Sequence, residues 1–348
     1  MKIDNFEINS QSPVFIIAEL SANHNGSLDN AIETIHAAKR AGADCIKLQT
    51  YTADTITIDS NKDDFLIKGT IWEGKNLYKL YQEAYTPWEW HEEIFRIAKE
   101  VGLICFSSPF DNTAVDLLES LDAPAYKIAS FEITDIPLIE YVASKGKPII
   151  ISTGIAEQED IELALDACRR MGNNNIALLK CTSSYPAPIN EANMCMVKDL
   201  AERYNVISGL SDHTMGATVP VVATAFGAKI IEKHFILDRS IGGPDASFSM
   251  NEEEFTAMVK AVREAEQAIG VIDYKLTEKQ VKGKDFSRSL YVLKDMKAGD
   301  IITKENVRSI RPGFGMHPKH YKEILGTVVK IDLEAGTRMN WEFLTSQE

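Results

Sequence analysis

Long apolar runs are missing from this sequence of 348 residues, and basic residues are scarce in it. No stretch approaches the roughly 20 consecutive apolar residues that a membrane-spanning helix needs. The 37 lysines and arginines are outnumbered by 51 aspartates and glutamates, which gives a net charge of −14. The sequence therefore argues against a membrane protein and against nucleic acid or an anionic membrane surface as a partner.

Cysteine is also sparse, and its placement predicts reduced thiols. None of the five cysteines forms a Cys-x-x-Cys pair, and an odd number in apolar surroundings is typical of an intracellular protein. They are Cys45, Cys105, Cys168, Cys181 and Cys195. Residues 1–10 are polar and lack the apolar core of a secretory signal. We therefore expect a cytoplasmic protein.

What the sequence does contain is a short apolar segment that recurs eight times and ends each time in polar residues. The segments are residues 15–20, 45–50, 103–108, 125–130, 148–153, 175–182, 206–212 and 229–235. Helical stretches separate them, for example residues 28–41 and 88–101. Eight alternating strands and helices predict an α/β fold, the TIM (β/α)8 barrel, whose active site lies at the carboxyl ends of the strands.

Changes of composition along the chain predict two domains and a linker. Residues 1–270 are predicted to form the catalytic barrel, with residues 1–13 as a short lid or hairpin before the first strand. Residues 271–285 are polar and rich in lysine, which is typical of a linker. Residues 286–348 hold very short apolar pieces between turns, which predicts a small, loop-rich β domain.

One connection of the predicted barrel is unusually long and runs from Tyr51 to Val101. It contains an aromatic cluster: Trp72, Tyr78, Tyr81, Tyr85, Trp88 and Trp90. Long loops at the mouth of a barrel are usually functional. The alternative is that these aromatic side chains only pack the loop onto the barrel.

Two histidines stand at the ends of the seventh and eighth predicted strands, His213 and His234. Neighbouring strand ends bring both within reach of one divalent metal ion, and two imidazoles leave positions for water and substrate. Nitrogen ligands suit several metals, so the identity of the metal stays open. The alternative is two unrelated histidines, one capping a helix and one packed in the core.

Two lysines, Lys47 and Lys127, interrupt apolar strands, where a lysine is costly unless it is paired. Together with hydroxyl groups at the same strand ends they predict a cradle for a phosphate and a carboxylate. The hydroxyls belong to Ser108, Ser130, Ser152, Thr182, Ser183 and Ser211. The alternatives are salt bridges to Glu19 or Glu132, which are also candidate general bases, and a Schiff-base lysine.

Several motifs, in order along the chain, resemble the sialic acid synthase family, the phosphoenolpyruvate-dependent nonulosonate synthases. They are residues 19–27, 46–50, 125–132, 209–213, 232–235 and 311–313. The resemblance covers essentially the whole chain, including a C-terminal domain similar to the antifreeze-like (SAF) fold. It implies condensation of phosphoenolpyruvate with an aminosugar and water, with release of phosphate by C–O cleavage.

The resemblance also implies roles for individual residues. A divalent metal ion, manganese with magnesium or cobalt as alternatives, would bind His213 and His234. Glu19 would hold the reacting water, and Glu132 would handle protons. The residues implied in substrate binding are Lys47, Gln49, Ser108, Lys127, Ser130, Ser152, Thr182, Ser183, Tyr185, Ser211, Asp245 and Arg311.

Within these, Lys47, Ser108 and Ser211 would hold the carboxylate of phosphoenolpyruvate. Its phosphate would lie against Lys127, Ser130, Ser152 and Ser183, and the sugar would face Tyr185 and Asp245. In this family the antifreeze-like domain covers the barrel mouth of the other subunit. The resemblance therefore implies a domain-swapped homodimer in which Arg311 reaches the neighbouring active site.

The sugar is indicated by residues 67–72, 77–81, 86–91 and 288–291. These resemble the branch of the family that uses 2,4-diacetamido-2,4,6-trideoxy-altrose and forms pseudaminic acid. The alternatives are formation of N-acetylneuraminate or legionaminate by the same chemistry. Other classes left open are a pyruvate lyase with Lys127 as a Schiff base and a carbohydrate- or ice-binding protein.

Overall fold

The computed structural model describes residues 1–345, and the TIM barrel predicted from the sequence is confirmed. Two short strands, β1 (Lys2–Ile3) and β2 (Phe6–Glu7), form an antiparallel hairpin before the barrel. The barrel strands are β3 (Phe15–Glu19), β4 (Cys45–Thr50), β5 (Ile104–Pro109), β6 (Tyr126–Ile128), β7 (Ile149–Ser152), β8 (Ile176–Cys181), β9 (Ile207–Asp212) and β10 (Ile230–His234). All pairs of neighbouring strands are parallel, and β10 pairs with β3 to close the barrel.

The helices follow the strands in the order expected for this fold. They are α1 (Leu28–Arg40), α2 (Ala53–Ile56), α3 (Leu77–Ala84), α4 (His91–Glu100), α5 (Asn112–Ser120), α6 (Ile136–Ala143), α7 (Gln158–Arg170), α8 (Cys195–Tyr204), α9 (Thr218–Ala225) and α10 (Glu252–Ile269). Polar residues set where they begin: Ser27 accepts a hydrogen bond from the Asn30 N–H, and Asn251 forms a capping box with Glu254. Helices α2 and α3 lie inside the long connection between β4 and α4.

The apolar core has two layers because successive side chains of a strand point to opposite faces. Ile16 and Ala18 of β3 pack outward against the helices, whereas Phe15 and Ile17 fill the barrel interior. The interior is apolar only over the first residues of each strand. Cys45 and Ile104, which begin β4 and β5, belong to the same interior cluster as Phe15 and Ile17. Toward the carboxyl ends the inward positions become polar, and this change creates the site described below.

The amino-terminal segment is a hairpin and does not act as a lid over the strand ends. Ile3 and Ile8 are fully buried in the interior cluster with Phe15 and Ile230, which stand at the beginning of their strands. Phe6 adds a ring contact to Phe15, with centroids 4.9 Å apart. The hairpin therefore closes the end of the barrel opposite to the predicted active site.

The chain divides into two compact units, Met1–Gly270 and Val271–Glu348. In the second unit the segment expected to be a plain linker contains a short helix, α11 (Glu278–Gly283). Strands β11 (Ser289–Val292) and β12 (Val307–Ile310) pair antiparallel, and α12 (Tyr321–Ile324) follows. The remaining short apolar pieces form isolated bridges around a core of their own, so this unit is loop-rich as predicted.

Two further observations concern residues 1–345 as a whole. None of the helices there is long and apolar enough to cross a membrane. The five cysteines are all unpaired; four are buried, and Cys195, at the start of α8, is exposed.

Candidate active site

The site begins where the inward-facing positions of the barrel strands change from apolar to polar. On β3 the inward series is Phe15, Ile17 and Glu19, and on β4 it is Cys45, Lys47 and Gln49. The same alternation on the other strands places further side chains at this level. They are Ser108, Lys127, Ser152, Cys181, Ser211, Glu232 and His234. All of these positions lie at the carboxyl ends of the strands, where TIM-barrel enzymes carry their active sites.

Lys47 is the centre of a buried ion-pair cluster. Its Nζ lies 2.5 Å from Glu19 Oε2 and 3.5 Å from Glu232 Oε1, and it donates a hydrogen bond of 3.2 Å to Ser108 Oγ. Burial raises the pKa of Glu19 to about 7, although Lys47 opposes the shift. Burial alone would raise the pKa of Glu232 as well, but Lys127 and Lys47 outweigh it and hold that pKa below its usual value. The salt bridge to Glu19 that the sequence left as an alternative is therefore present.

Lys127 differs from Lys47 because it makes no salt bridge among residues 1–345. Its ammonium group donates to Ser152 Oγ at 2.6 Å and to the Ile128 carbonyl at 3.0 Å, and the side chain is almost fully buried. Burial lowers the pKa of Lys127, since the charged form loses water without gaining a carboxylate at contact distance. A buried cation held only by neutral groups is suited to an anionic ligand.

Gly154 follows β7 and lies at the meeting point of several polar side chains. Its N–H donates to Ser130 Oγ at 3.2 Å. A Cβ at this position would lie 2.1 Å from Ser183 Oγ, 2.6 Å from Ser130 Oγ and 3.1 Å from Cys181 Sγ. The absence of a side chain thus leaves a small space between two hydroxyls and a thiol, near the end of the strand that carries Ser152.

His213 and His234 lie side by side, with ring centroids 5.3 Å apart. The Nδ1 of His213 lies 3.1 Å from the Thr182 carbonyl, so its Nε2 is left for another partner. The Nδ1 of His234 is buried without a hydrogen-bond partner among residues 1–345, and Asp245 Oδ2 lies 3.8 Å from it. Burial, reinforced by His213 and Lys47, lowers the pKa of His234 well below its usual value, so this ring is neutral.

A cavity of about 460 Å³ opens beside His234. Gln49, Glu132, Tyr185, His234 and Asp245 line its polar side. Burial raises the pKa of Glu132 to about 7, and its Oε2 has no hydrogen-bond partner among residues 1–345. The Tyr185 ring packs against the His213 ring at an angle of 50°, with centroids 4.4 Å apart. The cavity therefore offers a carboxyl group that can gain or lose a proton near neutral pH.

A chain of hydrogen bonds joins the polar side of this cavity to the lysine cluster. Gln49 Nε2 donates to Glu19 Oε1 at 3.1 Å and to Ser21 Oγ at 3.0 Å. Ser21 in turn donates to Asp245 Oδ2 at 2.5 Å. Gln49 and Asp245 are thus fixed in position by their neighbours.

Two of the residues predicted for the site are placed differently from the rest. The Thr182 hydroxyl donates to the Glu191 carbonyl at 3.3 Å, and the residue meets His213 through its backbone carbonyl. Arg311 belongs to the second unit, where it is exposed after β12. The other predicted residues lie at the strand ends or in the loops that follow them.

Sequence reasoning missed Glu232, Ser21 and Gly154 as parts of the site. Glu232 was detectable, because it stands two residues before His234 on the same strand and so shares its inward face. Ser21 and Gly154 carry no comparable signal, since their contacts depend on loops that follow the strands.

The barrel and its strand-end cluster of buried lysines, glutamates and histidines define an enzyme of the TIM-barrel class. Comparison with known proteins identifies the family: a model of the NeuB family matches residues 34–274, and one of the SAF domain matches residues 287–344. This chain belongs to the NeuB family, and the resemblance drawn from its motifs is confirmed.

Individual relatives are similar over almost their whole length. The pseudaminic acid synthase of Campylobacter jejuni is 50% identical over 97% of both chains. The N,N'-diacetyllegionaminic acid synthase of Legionella pneumophila is 35% identical over 96% of both chains. Among solved structures, the spore coat polysaccharide biosynthesis protein SpsE of Bacillus subtilis is 33% identical, with a TM-score of 0.68 over 100% of this chain and 99% of that one.

Proposed function

We propose that this chain condenses phosphoenolpyruvate with 2,4-diacetamido-2,4,6-trideoxy-altrose and water, giving pseudaminic acid and phosphate. The observation that carries the proposal is Lys127, a buried cation at the mouth of the barrel that donates to the Ser152 hydroxyl and the Ile128 carbonyl and makes no salt bridge among residues 1–345. The choice of sugar is supported by the 50% identity to the pseudaminic acid synthase of Campylobacter jejuni.

Two groups of residues would bind the two anionic ends of phosphoenolpyruvate. Lys127 and Ser152, with the space between Ser130, Gly154 and Ser183, would hold the phosphate. Lys47, Ser108 and Ser211 would hold the carboxylate, which then shares Lys47 with Glu19 and Glu232. Because Lys127 has no carboxylate partner within residues 1–345, binding of the phosphate would offset the cost of burying this charge.

The donor set around His213 and His234 fits a divalent cation such as manganese, with magnesium or cobalt as alternatives. His234 is neutral and has a buried, unpartnered nitrogen, and the Thr182 carbonyl orients His213 in the way that backbone carbonyls orient metal-binding histidines. No group of three His, Cys, Asp or Glu side chains within residues 1–345 forms a ready metal site, so water and substrate would supply the other ligands. When bound, the cation would polarise the aldehyde oxygen of the open-chain sugar.

The reaction joins two carbon atoms and then breaks one C–O bond. The electron pair of the double bond in phosphoenolpyruvate attacks the aldehyde carbon, and the aldehyde oxygen takes a proton. Water adds to the carbon that bears the phosphate, and phosphate leaves from the resulting tetrahedral carbon. Glu132 is our candidate for these proton transfers, since its pKa of about 7 allows both protonation states at neutral pH. Glu19 would hold the water.

We further propose that the enzyme works in the cytoplasm as a domain-swapped homodimer, with Arg311 of one subunit reaching the other subunit's barrel. The unpaired cysteines support a reducing compartment. Val271, Ile272 and Tyr274 are 87%, 95% and 95% exposed, which is unusual for apolar side chains and supports contact with a second chain.

Phosphate release tests this proposal directly. The enzyme is mixed with phosphoenolpyruvate, manganese and either 2,4-diacetamido-2,4,6-trideoxy-altrose or N-acetylmannosamine. We expect release with the first sugar only, and its loss when a chelator removes the metal. Release with N-acetylmannosamine or with another epimer of the diacetamido sugar would keep the chemistry and reassign the sugar.

A Schiff-base lyase acting on pyruvate is the second candidate, because the lowered pKa of Lys127 also suits an amine nucleophile. That enzyme would be trapped on Lys127 by borohydride in the presence of pyruvate and would need no metal. We expect no such adduct in the intact-protein mass.

A further inference from the structure

One side of the active-site cavity is apolar and is built by the long connection between β4 and α4. Four large aliphatic side chains of this connection line the cavity, and we call them the loop wall: Ile56, Ile67, Leu77 and Leu80. Leu80 is buried, whereas the other three are half-buried and keep part of their surface toward the cavity.

The loop wall is held in place by hydrogen bonds within the connection. Ile67 and Lys75 pair across a turn, with the Ile67 N–H donating to the Lys75 carbonyl at 3.0 Å. Asn76 Nδ2 donates to the Ser60 carbonyl at 2.5 Å, and its Oδ1 caps α3. The wall is therefore an ordered part of the cavity.

The tip of the same turn reaches the opposite side of the barrel mouth. Trp72 Nε1 donates to the Pro244 carbonyl at 3.0 Å, in the loop after β10. The Trp72 ring also packs against the Tyr185 ring, with centroids 5.7 Å apart, and Tyr185 in turn packs against His213. The connection thus bridges the mouth, and the cavity lies between the loop wall and the polar strand ends.

The two sides of the cavity would treat the two ends of an open-chain sugar differently. The aldehyde carbon must lie near the histidines and Glu132, so the far end of the sugar is left for side chains that come from beyond the strand ends. Against an aliphatic side chain a sugar hydroxyl loses its water without gaining a partner, which costs about 1–3 kcal/mol. A methyl group in the same place gains from burial instead.

Resting on the function proposed above, we propose that the loop wall selects sugars that carry a methyl group at C6. It would contact this methyl group and the methyl of the 4-acetamido group, and it would disfavour sugars with a hydroxyl at C6. The wall would thus determine specificity, while the residues of the polar side carry out the reaction. Epimers of the diacetamido sugar share both methyl groups, so the wall does not choose between them.

The test compares two sugars that differ in one atom. The enzyme is assayed for phosphate release with 2,4-diacetamido-2,4,6-trideoxy-altrose and with its counterpart that has a hydroxyl at C6. We expect kcat/KM to favour the 6-deoxy sugar by about 10- to 100-fold, which is the range of an apolar pocket facing one extra hydroxyl.

The variant Ile67→Thr removes the terminal Cδ1 methyl and puts a hydroxyl in place of Cγ1, whereas Ile67→Val loses the same terminal methyl and keeps an apolar side chain of about the size of threonine. We expect it to reduce the preference at least about fivefold, through KM for the sugar, and to leave KM for phosphoenolpyruvate unchanged. Ile67→Val should keep the preference of the parent. Ile58→Thr is the matched control, since Ile58 is 62% exposed in the same connection and does not line the cavity.

The outcomes separate this inference from the proposed function. Turnover of both sugars with equal kcat/KM, or an unchanged ratio in Ile67→Thr, would overturn the role of the loop wall and leave the proposed function standing. Absence of phosphate release with either sugar would overturn the proposed function and the inference together.

Discussion

Lys233 Nζ lies 2.5 Å from Asp212 Oδ2, and both side chains are almost completely buried. Asp212 also accepts hydrogen bonds from the Thr214 N–H at 2.9 Å and from the Thr214 hydroxyl at 3.1 Å. Lys233 donates to the Thr214 carbonyl as well. Because these residues flank His213 and His234 in the chain, the ion pair joins the two segments that carry the proposed metal ligands.

Removal of one partner of this pair should therefore affect both stability and metal binding. We expect Lys233→Met to lower the free energy of unfolding by about 3–5 kcal/mol, since it leaves the buried carboxylate of Asp212 without its cation. We also expect weaker binding of manganese to the enzyme without substrate. Urea unfolding and a manganese titration measure the two effects.

Two control variants test whether burial of the unpaired charge causes the loss of stability. Lys198→Met removes an exposed partner of Glu202, 3.6 Å away, and should cost less than about 1 kcal/mol. Adding Asp212→Asn to Lys233→Met should recover part of the lost stability, because the unpaired charge is gone. A Lys233→Met protein as stable as the parent would contradict the assignment.

We expect Glu132 to lower the stability of the folded protein at neutral and alkaline pH, although the reaction needs its carboxyl group. Its pKa is about 7 in the folded protein against an ordinary value of 4.5, so folding favours the protonated form. Below pH 4.5 this carboxyl is protonated in both the folded and the unfolded protein, so its burial costs no charge desolvation. As the pH rises from 4.5 through 7, the free energy of unfolding of the parent falls, because the unfolded protein releases this proton more readily. We expect Glu132→Gln to be more stable than the parent by about 2–3 kcal/mol at pH 8, with little difference at pH 4.5.

The same substitution should lower kcat at least about 100-fold if Glu132 transfers protons in the reaction. Urea unfolding at the two pH values and phosphate release measure the two effects. Glu202→Gln is the matched control, since this carboxyl is exposed and distant from the barrel mouth. A stability gain independent of pH would show that burial of the charge is not its cause.

The sequence predicted the barrel and much of the site because both rest on periodicity. Inward positions of a strand recur at every second residue, so Glu19, Lys47 and Lys127 could be placed at the mouth from their spacing alone. The same spacing puts Glu232, two residues before His234, on the inward face of β10 and Lys233 on its other face. The spacing does not give their partners, and the structure pairs Glu232 with Lys47 and Lys233 with Asp212.

Contacts made by loops could not be predicted in this way. Thr182 is predicted to bind substrate through its hydroxyl, and this stays a prediction. Its contacts with the Glu191 carbonyl and with His213 could not be foreseen, because no periodic pattern governs residues beyond a strand end. The aromatic residues of the long connection were equally ambiguous. Trp72 and Tyr81 line the cavity, whereas Trp90 packs against His24 and the core of the barrel.

The domain-swapped arrangement can be tested by mixing two inactive proteins. The Arg311→Ala protein should be inactive because each site lacks the arginine that the partner subunit would supply. The Glu132→Gln protein should be inactive because each barrel lacks the Glu132 carboxyl group. In mixed dimers one of the two sites has an intact barrel and an intact Arg311. Random exchange of subunits should therefore restore about a quarter of the parent activity at equal concentrations.

This experiment separates the swapped dimer from its alternative. If Arg311 acts on its own chain, every site in the mixture carries at least one defect and no activity returns. If Arg311→Ala alone keeps the kcat and KM of the parent, Arg311 has no role in the reaction. Arg308→Ala, on β12 in the same unit, is the control for loss of a positive charge.

Gly154 should be indispensable for phosphate binding, although its backbone conformation does not require glycine. Its φ lies outside the left-handed region, so an alanine meets no backbone strain there. The added Cβ would instead fill the space between Ser183 Oγ and Ser130 Oγ, at 2.1 and 2.6 Å. We expect Gly154→Ala to raise KM for phosphoenolpyruvate at least about tenfold, equivalent to about 1.4 kcal/mol of lost binding, with a smaller change in KM for the sugar.

Gly283→Ala, where a Cβ meets nothing within 4 Å, should leave both values unchanged. An equal rise of both KM values in Gly154→Ala would indicate general distortion of the barrel mouth and would count against a phosphate cradle at this glycine.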